Sequence, residues 1–336
     1  MRPHGGVPPG YERIVEELAR VGAGPGDRGR SGIHRATQDV GSGMVTPQQW
    51  RSRGDTRFVW GGHPIFTRIE GTGEPLLLVH GFPTASWDFA AIWPALTARF
   101  RVVTLDMLGF GFSAKPKHFA YSIAAQVDLI EALLANAGIE RFRVLAHDLG
   151  LTVLQELLAR DANIVSACML NGGLFPEAHR PLVMQRLLAS PLGPVIARFG
   201  TFGTFASQMR RIWGTTPPTD DELRAMWELV SRDRGAAVMP RLLGYMAERR
   251  SNRERWVGAL VNAEVPIRLI NGLADPISGA HMVARYRELI RDPDVVELPG
   301  VGHYPHVEAA DQVTEALFSH AASHPFGEDR RGRSAP

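Results

Sequence analysis

The 336-residue chain contains a single cysteine, Cys168, and only two lysines, Lys115 and Lys117. One thiol excludes an internal disulfide framework and a cysteine-based zinc site. Unbroken apolar runs stop after a few residues, as in Leu76-Leu77-Leu78-Val79, whereas a membrane-spanning helix needs ~20. No apolar stretch near the start is followed by a small-residue cleavage site, so no secretory signal is expected. Charge of one sign is also lacking: 37 Lys and Arg oppose 35 Asp and Glu, for a formal net charge of +2. The arginines are spread along the chain without forming a basic block, so a nucleic-acid partner is not expected. What remains is 44% apolar residues, enough for a core of one large or two medium domains and too many for a disordered chain. The composition reads as a soluble globular protein, expected in the cytoplasm.

The two ends differ from the middle. Residues 1–50 are rich in Gly, Pro and Arg, as in Gly22-Ala23-Gly24-Pro25-Gly26-Asp27-Arg28-Gly29, and read as a disordered extension. Gly24 to Gly29 fits G-x-G-x-x-G, but no strand precedes it and no βαβ unit surrounds it, so no dinucleotide cofactor is expected. Residues 324–336 read as a disordered tail.

Between them, β-rich segments alternate with helical patterns. Arg57–Trp60 and Pro64–Ile69 flank Gly61-Gly62, a two-residue hairpin signal. Strands are predicted at Leu76–Val79, Val102–Leu105, Phe142–Ala146, Val165–Leu170, Ile267–Ile270 and Val295–Leu298. Helices are predicted at about 86–98, 122–137, 149–160, 280–290 and 307–320. Continuous apolar strands joined by helices imply an α/β fold whose mostly parallel, doubly wound sheet is covered on both faces. Residues 172–258 break the rhythm and read as a helical cap inserted between core segments 51–171 and 259–323. Within the cap, Thr219-Asp220-Asp221-Glu222 fits a capping box.

Three carboxylate or imidazole side chains each follow their own strand. In Val144-Leu145-Ala146-His147-Asp148-Leu149-Gly150, a strand enters a helix through a turn with small residues two before and two after Asp148. That is the steric demand of a nucleophile elbow, though an aspartate there could also serve as a helix cap. Asp275 follows the strand Ile267–Ile270, and His303 follows Val295–Leu298. All three would meet at the carboxyl edge of the sheet, where open α/β sheets bind ligands. Asp106, which also follows a strand, is expected to stabilise a loop, and Ser113 lies in no elbow. His303 and His306 have H-x-x-H spacing, but no carboxylate completes a zinc site, so no metal is expected.

The motifs His80-Gly81-Phe82-Pro83, Asp106-Met107-Leu108-Gly109-Phe110-Gly111-Phe112-Ser113, His147-Asp148 and Gly302-His303 together resemble a capped α/β hydrolase of the epoxide hydrolase and haloalkane dehalogenase branch. The likeness spans residues 56 to about 322. Asn171–Glu177 and Arg255–Leu260 resemble a narrower group, the mesoderm-specific transcript proteins. The resemblance implies an α/β-hydrolase fold with Asp148, Asp275 and His303 as its catalytic triad. It also implies that the backbone N–H groups of Phe82 and Leu149 form the oxyanion hole. His80 is expected to be structural. Asn171 occupies an alternative position for the triad acid, but as an amide it leaves that role to Asp275.

An aspartate nucleophile determines the reaction class. An ionised carboxylate needs no base before it attacks, and at a saturated carbon it forms an alkyl ester. Attack on a carboxylic ester would give a high-energy anhydride, which argues against lipase, esterase and peptidase chemistry. The expected activity is cofactor-independent hydrolysis of a small apolar electrophile, first an epoxide. The alternatives are a haloalkane and a non-catalytic protein that binds ligands. Tyr245 resembles a cap tyrosine that protonates the epoxide oxygen, and it is the only tyrosine between 172 and 258. A halide site lacks the usual Trp after the nucleophile, since Leu149 stands there, and would have to recruit Trp213 or Trp227.

Overall fold

Apolar strands that bury both faces need helices on either side, and the computed structural model, which describes residues 44–327, has that arrangement. The strands are β1 (Val59–Trp60), β2 (His63–Pro64), β3 (Thr67–Glu70), β4 (Glu74–Val79), β5 (Phe100–Leu105), β6 (Phe142–Ala146), β7 (Ile164–Met169), β8 (Ile267–Gly272) and β9 (Asp294–Leu298). Seven of them form one sheet in the order β3-β5-β4-β6-β7-β8-β9. β3 is antiparallel to β5, and the other neighbours are parallel. Every strand predicted for this sheet is present.

The strand sequences explain its two cores. Alternate side chains of a strand point to opposite faces. Leu77 and Val79 of β4 therefore join one apolar cluster, and Leu76 and Leu78 join the other. β6 divides the same way, with Val144 and Ala146 on one face and Leu145 on the other. Each fully buried aliphatic side chain contributes ~1.5–3 kcal/mol, so runs with no polar face belong at the centre of the sheet.

The hairpin differs in part from expectation. Gly61 and Gly62 take φ of +54° and +81°, the positive values that a tight two-residue turn requires. They pair β1 with β2. The predicted second arm is split, because β3 leaves the hairpin to pair with β5. Between the two, Ile65 and Phe66 are fully buried, one in each core, and carry the chain from hairpin to sheet edge.

Several other boundaries move. The predicted helix 86–98 is a 3₁₀ turn, Ser86–Ala91, followed by the helix Trp93–Thr97; Pro94 has no N–H to continue a single helix. The predicted helix 307–320 is Pro305–Glu308 and Ala310–Ser323, broken at Ala309. The expected disordered extension falls mostly outside the described residues, as does the Gly24–Gly29 motif. Its last residues are ordered: Thr46 caps the helix Pro47–Ser52, and Trp50 is buried edge-on against Trp93 at 4.9 Å. The start of the expected tail is likewise tied down, because the His324 carbonyl accepts a hydrogen bond from Arg143 Nη2 at 2.7 Å. Residues 328–336 of the tail lie outside the described residues.

Between β7 and β8 the chain forms a series of helices, including Phe202–Ile212, Asp220–Ser231, Tyr245–Ser251 and Arg253–Val261. The Thr219–Glu222 capping box is formed. The last helix runs past the expected cap boundary at 258. It is anchored on the helix Leu149–Ala159, where Glu156 accepts from Arg255 Nε at 2.9 Å and Trp256 Nε1 at 2.7 Å. Among the described residues, no helix is long and apolar enough to cross a membrane.

Candidate active site

The end of β6 sets the geometry. Asp148 has φ +47° and ψ −104°, a strained conformation for a residue with a side chain. The bend needs small neighbours: a Cβ on Gly150 would collide with the Val79 carbonyl of β4. The Asp148 side chain does not cap the helix that follows. Its Oδ2 accepts a 3.0 Å hydrogen bond from the Phe82 N–H, which follows β4.

Asp275 and His303 come from the ends of β8 and β9. His303 Nδ1 donates to Asp275 Oδ2 at 2.8 Å, and His303 Nε2 lies 3.9 Å from Asp148 Oδ1. All three side chains are almost completely buried. Asp275 Oδ2 also accepts from Ser278 Oγ at 2.6 Å and Asn171 Nδ2 at 3.1 Å, and Oδ1 accepts from Ile277 N at 2.8 Å. Burial alone would raise the Asp275 pKa, but the His303 charge and these donors outweigh it and hold it at about 2. For His303, burial acts downward, and the charges of Asp275 and Asp148 with the Asp275 hydrogen bond lift it to about 9.

Leu149 is the first residue of its helix, so its N–H has no partner within that helix. Tyr245 is buried with its hydroxyl unpartnered. Its pKa is raised by burial and then by the nearby Asp148 charge. One turn on, Arg249 stands 4.5 Å above the Tyr245 ring, donates from Nε to Thr152 Oγ1 at 2.6 Å and from Nη2 to the Asp148 carbonyl at 3.2 Å. Sequence reasoning missed this arginine, although its spacing of four from Tyr245 places both on one helix face.

The remaining candidates fall into place around this group. Asp106 accepts from Ser86 N, Ser86 Oγ and Phe112 N at 2.6–2.9 Å and holds two loops together. His80 bridges Gly81 O and Met107 N. Asn171 joins β7 to β8 through Gly272 and supports Asp275. His306 does not accompany His303. It lies with Asp88 and His147, their donor atoms within 4.8 Å of one another, all fully buried. Burial pushes Asp88 up to about 8 and His306 down to about 3, so the site favours the neutral form of both groups. His147 Nε2 donates to the His303 carbonyl at 2.8 Å.

A cavity of about 600 Å³ reaches Phe82 and His303 from beneath the inserted helices. Its walls are mostly apolar and include Leu188, Phe205, Met209 and Trp227. Trp213 is not among them; its ring stacks on Tyr304 at 4.8 Å. Asp148 and Tyr245 are not wall residues either, and the side chain of Phe82 contacts the Tyr245 ring at 6.3 Å between centroids.

Comparison with known proteins agrees with this architecture. The mesoderm-specific transcript protein of Mus musculus is 40% identical over 278 residues, covering 77% of this chain and 83% of its own length. A Mycobacterium tuberculosis protein named as the hydrolase LipZ is 37% identical over 285 residues, covering 82% of this chain and 99% of its own length. Among solved structures, a haloalkane dehalogenase loop variant from Bradyrhizobium elkanii aligns with a TM-score of 0.68 at 19% identity, covering 80% of this chain and 96% of that one. The epoxide hydrolase CorEH aligns with a TM-score of 0.65 at 15% identity, covering 78% and 96%. The profile of the alpha/beta hydrolase fold family matches residues 74–310. With that match over most of its length, and its strand order and elbow as described, the chain belongs to the α/β hydrolase fold family.

Proposed function

We propose that the protein is a cofactor-independent hydrolase in which Asp148 attacks an epoxide carbon. The observation that carries this reading is the division of the Asp148 carboxylate. One oxygen is held by the Phe82 N–H, and the other faces His303 Nε2 at 3.9 Å. In the first step Oδ1 bonds to carbon as the carbon–oxygen bond of the ring breaks. The Tyr245 hydroxyl, buried and without another partner, gives its proton to the departing oxygen.

In the second step His303 takes a proton from water, and the resulting hydroxide attacks the Asp148 ester carbon. Negative charge then develops on Oδ2, the oxygen that Phe82 already engages, with the free Leu149 N–H as second donor. A single such donor is worth about 10²–10³-fold in rate. The tetrahedral species collapses with release of the diol, whose alkoxide takes the proton from His303. The Asp148 carboxyl proton returns to Tyr245.

Forming the ester also prepares the base. It removes the Asp148 charge that helps to hold His303 at about 9, so the imidazole becomes easier to deprotonate when it is needed. The mostly apolar cavity suits a small uncharged electrophile. Haloalkanes are the second reading, favoured by Trp227 in the cavity wall, whose indole N–H is the type of donor a departing halide needs.

The test is a trap. His303→Gln is incubated with epoxides and haloalkanes, and the intact mass of the protein is measured. The epoxide reading expects an adduct on Asp148 with the full substrate mass. An adduct lighter by the halogen supports the second reading, and no adduct with any compound overturns both.

A further inference from the structure

We infer that the inserted helices dock on an anionic lipid surface through residues 183–199, with the mouth of the cavity facing the bilayer. Nine large apolar side chains are left exposed among the described residues, and four of them, Val183, Leu192, Val195 and Phe199, fall in this segment. Phe199 is 68% and Val195 49% exposed, yet both also line the cavity. A mostly apolar lining therefore runs from this exposed rim into the cavity that reaches His303. An exposed rim of this kind marks an interaction site.

Charge selects the partner. From Ala178 to Thr219 there are five arginines and no acidic residue, in a chain whose total charge nearly balances. All five are exposed. Arg210 is paired with Asp220, but Arg180, Arg186, Arg198 and Arg211 form no ion pair with the described residues. Short apolar segments interleaved with arginine suit the boundary between headgroups and acyl chains. Each basic residue near an anionic membrane strengthens binding by about fivefold. Docking in this orientation would let an uncharged apolar substrate pass from the bilayer into the cavity without crossing water.

The test is sedimentation of the full chain with vesicles of phosphatidylcholine alone or mixed with phosphatidylglycerol. It needs no turnover, so its outcome is independent of the proposed reaction. Binding is expected to vesicles containing phosphatidylglycerol, with release at high salt. The double variant Val183→Ser, Leu192→Ser, whose residues lie outside the cavity wall, should bind about tenfold more weakly. Arg186→Ala with Arg198→Ala should lose about fivefold per arginine. Circular dichroism of each variant checks that it is folded. Three results would overturn the inference: no binding by the wild type, equal binding to both vesicle types, or a wild-type dimer that the serine variant dissociates.

Discussion

His303 is held between two carboxylates, with Nδ1 2.8 Å from Asp275 Oδ2 and Nε2 3.9 Å from Asp148 Oδ1. The short contact fixes the tautomer and orientation of the ring, because a nitrogen that donates to Asp275 leaves the other to face Asp148. In the proposed hydrolysis the longer contact would leave Nε2 available to a water approaching the Asp148 ester carbon.

Asp275→Asn should therefore leave the alkylation step largely intact and stall hydrolysis of the ester. Its amide can present N–H where the imidazole needs an acceptor, which favours the wrong tautomer. Loss of the equivalent orienting carboxylate in a serine triad costs on the order of 10⁴-fold, and turnover should fall by a similar factor. Rapid-quench measurement should find the ester accumulating in the variant. Equal slowing of both steps would count against an orienting role.

Protonation of His303 links activity to stability. Its folded pKa of about 9 lies above the ordinary value of 6.5. The stabilisation it contributes is complete below 6.5 and disappears as pH rises through about 9. Denaturant titrations of the wild type should show this decline, and Asp275→Asn should flatten it. In Asp148→Asn, NMR titration should place the imidazole below about 9, because one of the raising charges is gone. An unshifted value would mean that Asp148 does not control the base.

Much of this site is legible in the sequence because each polar residue comes within about five residues of the end of a strand. A parallel sheet brings the ends of β4, β6, β8 and β9 together, so Phe82, Asp148, Asp275 and His303 need only short loops to meet. Arg249 was not legible in this way. It reaches Asp148 and Thr152 from an inserted helix about a hundred residues away, a packing relationship that no local pattern encodes. The N-terminal boundary was misplaced for a different reason. Thr46-Pro47-Gln48-Gln49 carries a capping box with proline in the first turn, but the Gly- and Arg-rich composition just before it obscured the signal.

The route of oxygen gives a third prediction. If the ester forms through Oδ1 and water attacks the Asp148 carbonyl carbon, the new diol hydroxyl comes from the protein and not directly from solvent. A single turnover in ¹⁸O-water with enzyme in excess should leave the label in Asp148, detected by peptide mass spectrometry. The diol from that turnover should be unlabelled. Label in the first diol would mean that water attacks the substrate directly, with Asp148 acting only as a base.

Substitution of Tyr245 tests whether the proposed substrate is an epoxide or a haloalkane. Its hydroxyl is buried and has no hydrogen-bond partner, so Tyr245→Phe removes no native hydrogen bond, and stability should change by less than about 1 kcal/mol. Opening an epoxide needs a proton on the departing oxygen, and loss of a positioned acid costs typically ~10²–10⁴-fold. Halide departs without a proton, so the same substitution should leave alkylation by a haloalkane nearly unchanged. Stopped-flow or rapid-quench rates for the two substrate types, measured in the His303→Gln background, separate the alkylation step from hydrolysis. Slowing confined to epoxides would identify Tyr245 as the acid. Equal rates with and without the hydroxyl would remove the main reason for preferring an epoxide over a halide.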